Sequence, residues 1–189
     1  MTHQKQALVI GGSGFLGTAI CNQLAEAGYK ITVPTRHYKN AKHLLTLPTC
    51  QVVQANVHDR AALSRLVDGK DVVINLLGIL YSKPGKPYGQ GFRQNHVELP
   101  KALCAVMKSK RVKRLIHISA LGVGVKNPAP SQYLRSKTDG EAAVKDSGLS
   151  WTILRPSVVF GRNDSFLNMF ASFSKLTPVF PLAGAETRF

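Results

Sequence analysis

Two side chains that could move a proton stand four residues apart in the run YLRSK (133–137). In a helix this spacing places Tyr133 and Lys137 on one face, about one turn apart. A nearby ammonium group lowers the pKa of a phenol, which can then exchange a proton with a carbonyl or hydroxyl group. The same spacing is common on ordinary helix faces, so the pair predicts acid–base chemistry only in a suitable fold.

A glycine-rich segment near the amino terminus predicts a dinucleotide site. Its glycines at 11, 14 and 17 lie between a predicted strand and a predicted helix. In this pattern the first glycine permits a tight turn, the second admits the pyrophosphate and the third allows close helix packing. The pyrophosphate then meets the positive end of the helix. The alternative is a purely structural turn. The residues predicted to contact the cofactor here are Gly11, Gly12, Ser13, Gly14, Phe15, Leu16 and Gly17.

The end of the second predicted strand bears on which dinucleotide binds. An acidic residue about 20 positions after the glycines commonly holds the 2′-hydroxyl of the adenosine ribose. The run VPTRH (33–37) has no carboxylate, and Arg36, with Lys39 nearby, could instead meet a 2′-phosphate. We therefore expect NADP(H) in preference to NAD(H), the alternative being a solvated arginine. Asn56 and Val57 close the third strand, where the Asn56 amide is expected at the adenine edge.

The elements that must position these residues alternate along the chain. Apolar runs predict strands at 6–10, 30–35, 51–56, 71–78, 114–121 and 151–159. Helical patterns occupy 15–28, about 39–47, 60–67, about 91–109 and 131–147. Pro100 is expected to bend or restart the fourth of these helices, and Asp59 to cap the third. Six strands alternating with helices predict an α/β fold with a doubly wound parallel sheet, a Rossmann fold of strand order 3-2-1-4-5-6.

The predicted domain organisation is one cofactor-binding unit followed by the beginning of another. Residues 1–161 contain all six predicted strands and form the expected NAD(P)-binding Rossmann domain. Residues 162–189 show helical periodicity from about 164 and then stop in mid-pattern. We interpret them as the start of a truncated C-terminal substrate lobe, most of which is missing.

Composition restricts the class of protein and of partner. The 189 residues are 44% hydrophobic and 19% charged, as in one soluble globular domain. No apolar run approaches the roughly 18 residues of a membrane span, and the first residues do not form a secretory signal core. Three cysteines without CxxC spacing favour a reducing compartment, with buried thiols expected at Cys21 and Cys104. A net charge of +15 implies an anionic ligand or partner.

Five cations concentrate this charge within residues 108–114. They are Lys108, Lys110, Arg111, Lys113 and Arg114. This basic cluster enters the amino end of the fifth strand, whereas cofactors bind beyond the carboxyl ends of strands. It is therefore expected on the opposite rim, where it could dock on an acidic protein or an anionic membrane surface, or be merely solvated. Nucleic acid is disfavoured because no recognition motif is present.

Together these motifs resemble the short-chain dehydrogenase/reductase superfamily in its extended or atypical branch, which includes NAD-dependent epimerases and dehydratases. The glycine loop, NLLGIL (75–80), the Tyr133–Lys137 pair and RPSVVFG (155–161) follow the order of that family across the chain. The resemblance implies that Tyr133 and Lys137 are catalytic and that Lys137 also binds the nicotinamide ribose. It further implies cofactor contacts at Leu76, Leu77, Gly78, Pro156 and Val158.

A serine after the fifth strand orients the substrate in that family, and this chain departs from the pattern there. The run HISAL (117–121) offers Ser119 as the catalytic hydroxyl. The extended-branch pattern could equally place that hydroxyl at position 120, which is alanine. If Ser119 points away, it would bond the backbone or the cofactor instead.

A closer similarity is to the nucleotide-binding accessory subunits of respiratory complex I and their bacterial relatives, through NLLGIL, SQYLRSK and RPSVVFGRNDSFLNMFA. This resemblance implies tight NADP(H) binding with a structural or assembly role, or a link to quinone metabolism. It also implies a cytoplasmic location, peripheral to the inner membrane, or the mitochondrial matrix in a eukaryote. Two alternatives are an active NAD(P)-dependent reductase, dehydrogenase or sugar-nucleotide epimerase/dehydratase, and a cofactor-sensing module without turnover.

Overall fold

The computed structural model describes residues 4–125, 129–161 and 164. The chain divides into two compact units, Met1–Ser157 and Val158–Phe189. The first contains every strand and helix reported below. In the second, Asp164 N donates to Gly161 O at 3.0 Å. The helix predicted from about residue 164 and the body of the C-terminal lobe lie outside the described residues, so the boundary after residue 161 stays a prediction.

Six parallel strands form one sheet of order β3-β2-β1-β4-β5-β6, which confirms the predicted doubly wound topology. The strands are β1 (Gln6–Ile10), β2 (Lys30–Thr35), β3 (Cys50–Gln54), β4 (Val72–Asn75), β5 (Arg114–Ile118) and β6 (Ser150–Leu154). The helices are α1 (Phe15–Glu26), α2 (Arg60–Val67), α3 (Gln90–Phe92), α4 (Leu99–Ser109) and α5 (Gln132–Lys145). A 3-10 helix spans Tyr38–Thr46, and a π-helical segment spans Arg93–Glu98.

Alternating side chains of the strands supply a core to each face of the sheet. On β1, Leu8 and Ile10 pack with α2 and α4, whereas Val9 packs on the other face with Cys21 of α1. Because both faces are covered, β1 is apolar throughout its buried length, as parallel sheets require. Cys104 is also buried, as expected.

Strands β4, β5 and β6 end earlier than their apolar runs predict. The Asn75 side chain accepts from Leu77 N at 3.2 Å and turns the chain away after β4. Beyond β6, Pro156 has no N–H to donate to a ladder. The residues directly after these three strands, up to Ser157 in the case of β6, lie in loops at the carboxyl edge of the sheet, which is where a cofactor would meet them.

The segment predicted as a helix near 39–47 is a 3-10 helix. Its buried residues Ala41 and Leu44 are three positions apart, and Leu47 packs against the same core cluster. A helix with three residues per turn places all three side chains on one line facing the sheet.

The long helix predicted across 91–109 is continuous but irregular ahead of Pro100. Pro100 has no N–H for the carbonyl of His96, four residues earlier. In the π-helical segment Leu99 N donates to Gln94 O, five residues back. The predicted disturbance at Pro100 is confirmed, and it takes the form of a widened turn that contains His96.

Two helix ends agree with their local signals. Asp59 caps α2, because its Oδ1 accepts from Ala61 N at 2.8 Å and from Ala62 N at 3.3 Å. Gly28 follows the end of α1 with φ +76°, a conformation that glycine adopts without strain.

Among the described residues, no helix has the length and apolar character needed to cross a membrane.

Candidate cofactor-binding and catalytic site

Residues 11–17 form a tightly closed turn between β1 and α1, here called the glycine cradle. Gly11 has φ +82°, and a Cβ on it would lie 3.2 Å from the backbone of Leu76. A Cβ on Gly12 would lie 2.8 Å from Val33 Cγ2, and one on Gly17 only 2.4 Å from Gly11 O. The distances leave no room for a side chain at Gly12 or Gly17, and the positive φ of Gly11 strains any other residue there.

The amino end of α1 opens at this cradle. Gly14 precedes the helix in an extended conformation and accepts from Thr18 N at 2.9 Å. Glycine has no side chain with which to cap the amide groups of Phe15 and Leu16, the first residues of α1. Free amides and the helix dipole make this end suited to the negative charge of a pyrophosphate.

A cavity of about 180 Å³ adjoins the cradle, here called the Arg36 cavity. It lies among the carboxyl ends of β1, β2 and β3. Six of the predicted cofactor residues line it, namely Gly11, Ser13, Arg36, Asn56, Val57 and Leu77. The fold therefore brings the glycine motif, the basic residue after β2 and the residues after β3 to one place, as an adenosine site requires.

The Asn56 side chain has a structural contact within this cavity. Its Oδ1 accepts from His58 N at 3.1 Å and thereby holds the turn between β3 and α2. The amide oxygen can accept a second hydrogen bond and Nδ2 can donate, so both groups are chemically suited to the adenine edge. The contact of Asn56 with adenine stays a prediction.

The loop after β4 connects the cradle with the Tyr133–Lys137 pair. Leu76 lies against Gly11, and Leu77 lines the Arg36 cavity. A Cβ on Gly78 would lie 3.4 Å from Lys137 Nζ. The three residues predicted in NLLGIL thus run from the glycine cradle to the amino group of Lys137.

Tyr133 and Lys137 occupy successive turns of α5, whose first turn is capped by Ser131 accepting from Leu134 N at 3.1 Å. Lys137 is 4% exposed, and its Nζ donates to Ile118 O at 3.0 Å at the end of β5. Burial lowers the pKa of Lys137 to about 8, although Glu141 opposes this shift. Burial also raises the pKa of the Tyr133 phenol. The expected lowering of the Tyr133 pKa by Lys137 is therefore not found.

Ser119 lies at the same strand end but is not open to a substrate. It is 3% exposed, and its Oγ has no hydrogen-bond partner of normal geometry among the described residues. Its hydroxyl lies beside Glu141 and contributes to lowering the pKa of that carboxyl group. The other position considered, Ala120, is also buried. A substrate-orienting role for Ser119 stays a prediction that this buried placement does not favour.

An ion-pair network behind α5 was missed by the sequence patterns. Buried Glu141 accepts from Arg155 Nε at 2.9 Å and from Lys145 Nζ at 2.7 Å, and it also contacts the Arg155 terminal nitrogen. Burial opposes the charged carboxylate, but the bonds from Arg155 and Lys145 outweigh it and lower the pKa of Glu141 to about 2. This network anchors the chain just before Pro156, whose carbonyl accepts from Leu121 N at 2.9 Å.

Val158, the last residue predicted to contact the cofactor, belongs to the second of the two compact units. Val158 is the first residue of the unit Val158–Phe189, and its predicted contact with the nicotinamide stays a prediction.

Two buried histidines were also missed, since an isolated histidine carries no motif. His117 of β5 accepts from Asn75 Nδ2 at 3.2 Å, and His96 accepts from Ile79 N at 3.1 Å. Burial first, and the charge of Lys137 second, lower the pKa of both imidazoles to about 4. Both are therefore neutral at physiological pH and surround Lys137.

Comparison with known proteins agrees with this geometry. Residues 11–165 match the model of a protein family described as NAD(P)H-binding. The chain belongs to this NAD(P)H-binding family. The matched region starts at the first glycine of the cradle and includes Tyr133 and Lys137. The family is thereby shown, and the individual residues predicted to contact the cofactor stay predictions.

Relatives of the predicted kind are found. The mouse protein NADH dehydrogenase [ubiquinone] 1 alpha subcomplex subunit 9, mitochondrial, is 33% identical over 171 residues, which are 88% of this chain and 44% of the relative. A ceramide reductase of Caulobacter vibrioides is 26% identical over 180 residues, 95% of this chain and 54% of the reductase. The chain thus spans about half the length of these relatives, and the predicted similarity to accessory subunits of complex I is confirmed.

A solved structure confirms the Rossmann architecture. The Bordetella bronchiseptica enzyme WbmH, in complex with NAD⁺, superimposes with a TM-score of 0.74 at 24% identity, over 92% of this chain and 64% of the enzyme. NAD-dependent epimerases and dehydratases are also among the solved structures with this fold. At this identity the likeness establishes the fold and not the reaction.

Proposed function

We propose that this chain holds NADP(H) as the nucleotide-binding part of an accessory subunit of respiratory NADH:ubiquinone oxidoreductase, with the cofactor serving structure or assembly. The main support is the joined arrangement of the glycine cradle and the Arg36 cavity, together with the complex I subunit named above. The mitochondrial relatives support a location at the respiratory membrane, on the matrix side in a eukaryote or the cytoplasmic side in a bacterium.

The preference for NADP(H) rests on Arg36. Its side chain is exposed at the rim of a cavity whose lining contains no carboxylate. A charge-assisted bond to a 2′-phosphate stabilises a complex by about 1.5–3 kcal/mol, which corresponds to roughly 10- to 150-fold in affinity. NADPH should therefore raise the melting temperature more than NADH does, and Arg36→Ala should narrow this difference.

The matched control for that experiment is Arg65→Ala. Arg65 is exposed on α2 and does not line the Arg36 cavity. This control should retain the wild-type preference. Equal stabilisation of the wild-type protein by NADPH and NADH would refute the role of Arg36.

The proposed structural role for the cofactor is supported by the electrostatic state and burial of the acid–base residues. The pKa of Tyr133 is raised by burial, and the Ser119 hydroxyl is enclosed beside Glu141. A phenol with a raised pKa is a weaker proton donor to a carbonyl oxygen that accepts a hydride. We expect slow or no turnover of NADPH with aldehydes, ketones or a soluble ubiquinone analogue.

An active reductase is the second candidate, since Tyr133 and Lys137 share one face of α5 beside the end of β5. The rate of NADPH oxidation by the natural protein, followed by the absorbance of the reduced cofactor, distinguishes the two functions. Turnover by wild type that is lost in Tyr133→Phe, with NADPH binding retained, would establish the reductase. Equal turnover by both proteins would exclude Tyr133 as the acid–base residue.

The basic cluster is proposed as the docking surface on an acidic partner or an anionic membrane. It lies at the amino end of β5, on the rim opposite the cradle. Lys110 is near Asp68 at 3.4 Å, and Arg114 donates to Thr152 Oγ1 at 2.7 Å on β6. The exposed remainder, Lys108, Arg111 and Lys113, is available to a partner.

Charge reversal tests this surface. Replacing Lys108, Arg111 and Lys113 by glutamate should reduce co-sedimentation with respiratory membranes. The matched control reverses three exposed cations on α2 and α4, namely Arg60, Arg65 and Lys101. Equal losses in the two triple variants would indicate a general effect of charge, and no loss in the first would reduce the cluster to a solvated surface.

A further inference from the structure

His96 joins three parts of the candidate site through one buried imidazole ring. Its Nε2 accepts from Ile79 N at 3.1 Å, in the loop after β4. Its Nδ1 lies 2.8 Å from Ser136 Oγ on α5. Its ring stacks on Phe92 at 5.2 Å and meets the Tyr133 ring edge-on at 5.4 Å.

The N–H group of Ile79 determines the directions of these hydrogen bonds. Ile79 N–H can only donate, so His96 Nε2 must be unprotonated. The neutral ring then carries its proton on Nδ1 and donates it to Ser136 Oγ. Ser136 in turn donates to the carbonyl of Tyr133 at 2.7 Å. The chain of bonds therefore runs from the loop after β4 to the backbone of Tyr133, with every proton accounted for.

The surrounding backbone is built to keep His96 in this place. The π-helical segment contains His96, and such segments recur at functional sites. A Cβ on Gly140 of α5 would lie 1.8 Å from His96 O, so α5 rests directly on this turn. Burial and the nearby charge of Lys137 keep the imidazole neutral by lowering its pKa to about 4.

Gly78 lies between His96 and Lys137. A Cβ on Gly78 would lie 3.4 Å from Lys137 Nζ and 3.7 Å from His96 Nε2. The loop after β4, Lys137 and His96 therefore meet at one point. His96 does not line the Arg36 cavity, which is assigned to the adenosine half.

We propose that His96 is a positioning residue for the nicotinamide half of the cofactor, which sets the separation between the loop after β4 and the Tyr133–Lys137 face of α5. This role rests on the proposed binding of NADP(H). Loss of the Nε2 acceptor releases Ile79 and the loop that faces Lys137. It should weaken the nicotinamide end of the complex and leave the adenosine end intact.

The experiment compares two ligands that share the adenosine end. NADPH contains the nicotinamide half, and adenosine 2′,5′-bisphosphate lacks it. Both are titrated calorimetrically into the natural protein and into His96→Phe and His96→Gln. Phenylalanine keeps a ring but has no acceptor for Ile79 N–H, whereas glutamine supplies a side-chain oxygen. We expect His96→Phe to lose about tenfold in affinity for NADPH only, and His96→Gln to retain most of it.

The necessary control is a variant whose fold is less stable but whose candidate site is intact. Leu103→Val shortens a buried side chain of α4 that belongs to the main core cluster and not to the His96 contacts. It should weaken neither ligand selectively. As an independent readout, ¹⁵N NMR of the wild-type imidazole should show the Nδ1-protonated neutral form at pH 7.

The outcomes separate the two proposals. If wild type binds both ligands and His96→Phe preserves their ratio of affinities, or weakens both equally, the positioning role is refuted. An Nε2-protonated ring would also refute it. If wild type binds neither ligand, the proposed cofactor function fails and the role of His96 fails with it.

Discussion

Acidification should destabilise this fold through the two buried histidines around Lys137. His96 and His117 are each 2% exposed. Burial, reinforced by the charge of Lys137, lowers the pKa of each from 6.5 to about 4. In the unfolded chain both rings recover their ordinary pKa and take up protons at mildly acidic pH.

The sign and size of the effect follow from proton linkage. Between pH 6.5 and 4 the unfolded state binds more protons than the folded state, so the free energy of unfolding falls as the pH falls. From pH 7 to pH 5 each histidine should remove about 2 kcal/mol, and the two together about 4 kcal/mol. This is a large fraction of the roughly 5–15 kcal/mol that stabilises an ordinary domain.

Two other groups with shifted pKa values affect stability in different pH ranges. Glu141 has a pKa lowered from 4.5 to about 2, so its stabilising contribution is present above pH 4.5 and is lost as the pH falls toward 2. Lys137 has a pKa lowered from 10.5 to about 8, so stability rises as the pH increases through that interval. Of these four groups, only the two histidines change protonation between pH 4.5 and 6.5.

The assay is urea denaturation at pH 7 and pH 5. Wild type should lose about 4 kcal/mol, and His117→Asn only about 2 kcal/mol, because one titrating ring has been removed. Leu103→Val, which lowers stability without removing an ionisable group, should show the full wild-type difference. Equal losses in wild type and His117→Asn, or imidazole NMR titrations with midpoints near 6.5 for both rings, would refute the reasoning.

Substitutions at three further positions test the packing and a helix cap. Gly17→Ala should abolish NADPH binding in calorimetry, since its Cβ would lie 2.4 Å from Gly11 O; retained binding would contradict the cradle geometry. Gly140→Ala would gain about 1 kcal/mol from helix propensity, but a Cβ 1.8 Å from His96 O should reverse the sign and destabilise the fold in urea. Asp59→Ala should lower the free energy of unfolding by about 1 kcal/mol, and Asp59→Asn should lower it much less, because asparagine can also cap the helix. Equal losses in the two variants would indicate that the charge of Asp59, and not its cap, stabilises α2.

The local features of this protein were predictable because their physical cause lies within a few residues. The glycine spacing between an apolar run and a helix predicts the cradle, and Asp59 is recognised as a cap from its position alone. Strand order also follows, since right-handed crossovers leave few arrangements for six parallel strands. The length of β4 was overestimated, because an apolar run does not reveal where a side chain such as Asn75 takes over the backbone bonds. The length of β6 was overestimated because its predicted run continued through Pro156.

Residues whose role depends on distant partners could not be found in the sequence. His96 and Ile79 are separated by the loop and the start of a helix, and Glu141 meets Arg155 from another element. Glu141 stands four residues before Lys145, a spacing that predicts their contact along α5 but not the bonds with Arg155. His96 belongs to no recognisable spacing. Ser119 shows the same limit, because its sequence position suits catalysis while its hydroxyl is enclosed beside Glu141.

The sequence by itself therefore determined the class of fold, the cofactor cradle and the helix face that carries Tyr133 and Lys137. Each of these depends on backbone conformation and short-range periodicity. Only the tertiary structure decided the electrostatic state of that face, because desolvation and charge act through space. The result is a Tyr133 phenol with a raised pKa, an amino group on Lys137 with a lowered one, and two neutral histidines that hold the surrounding elements in place.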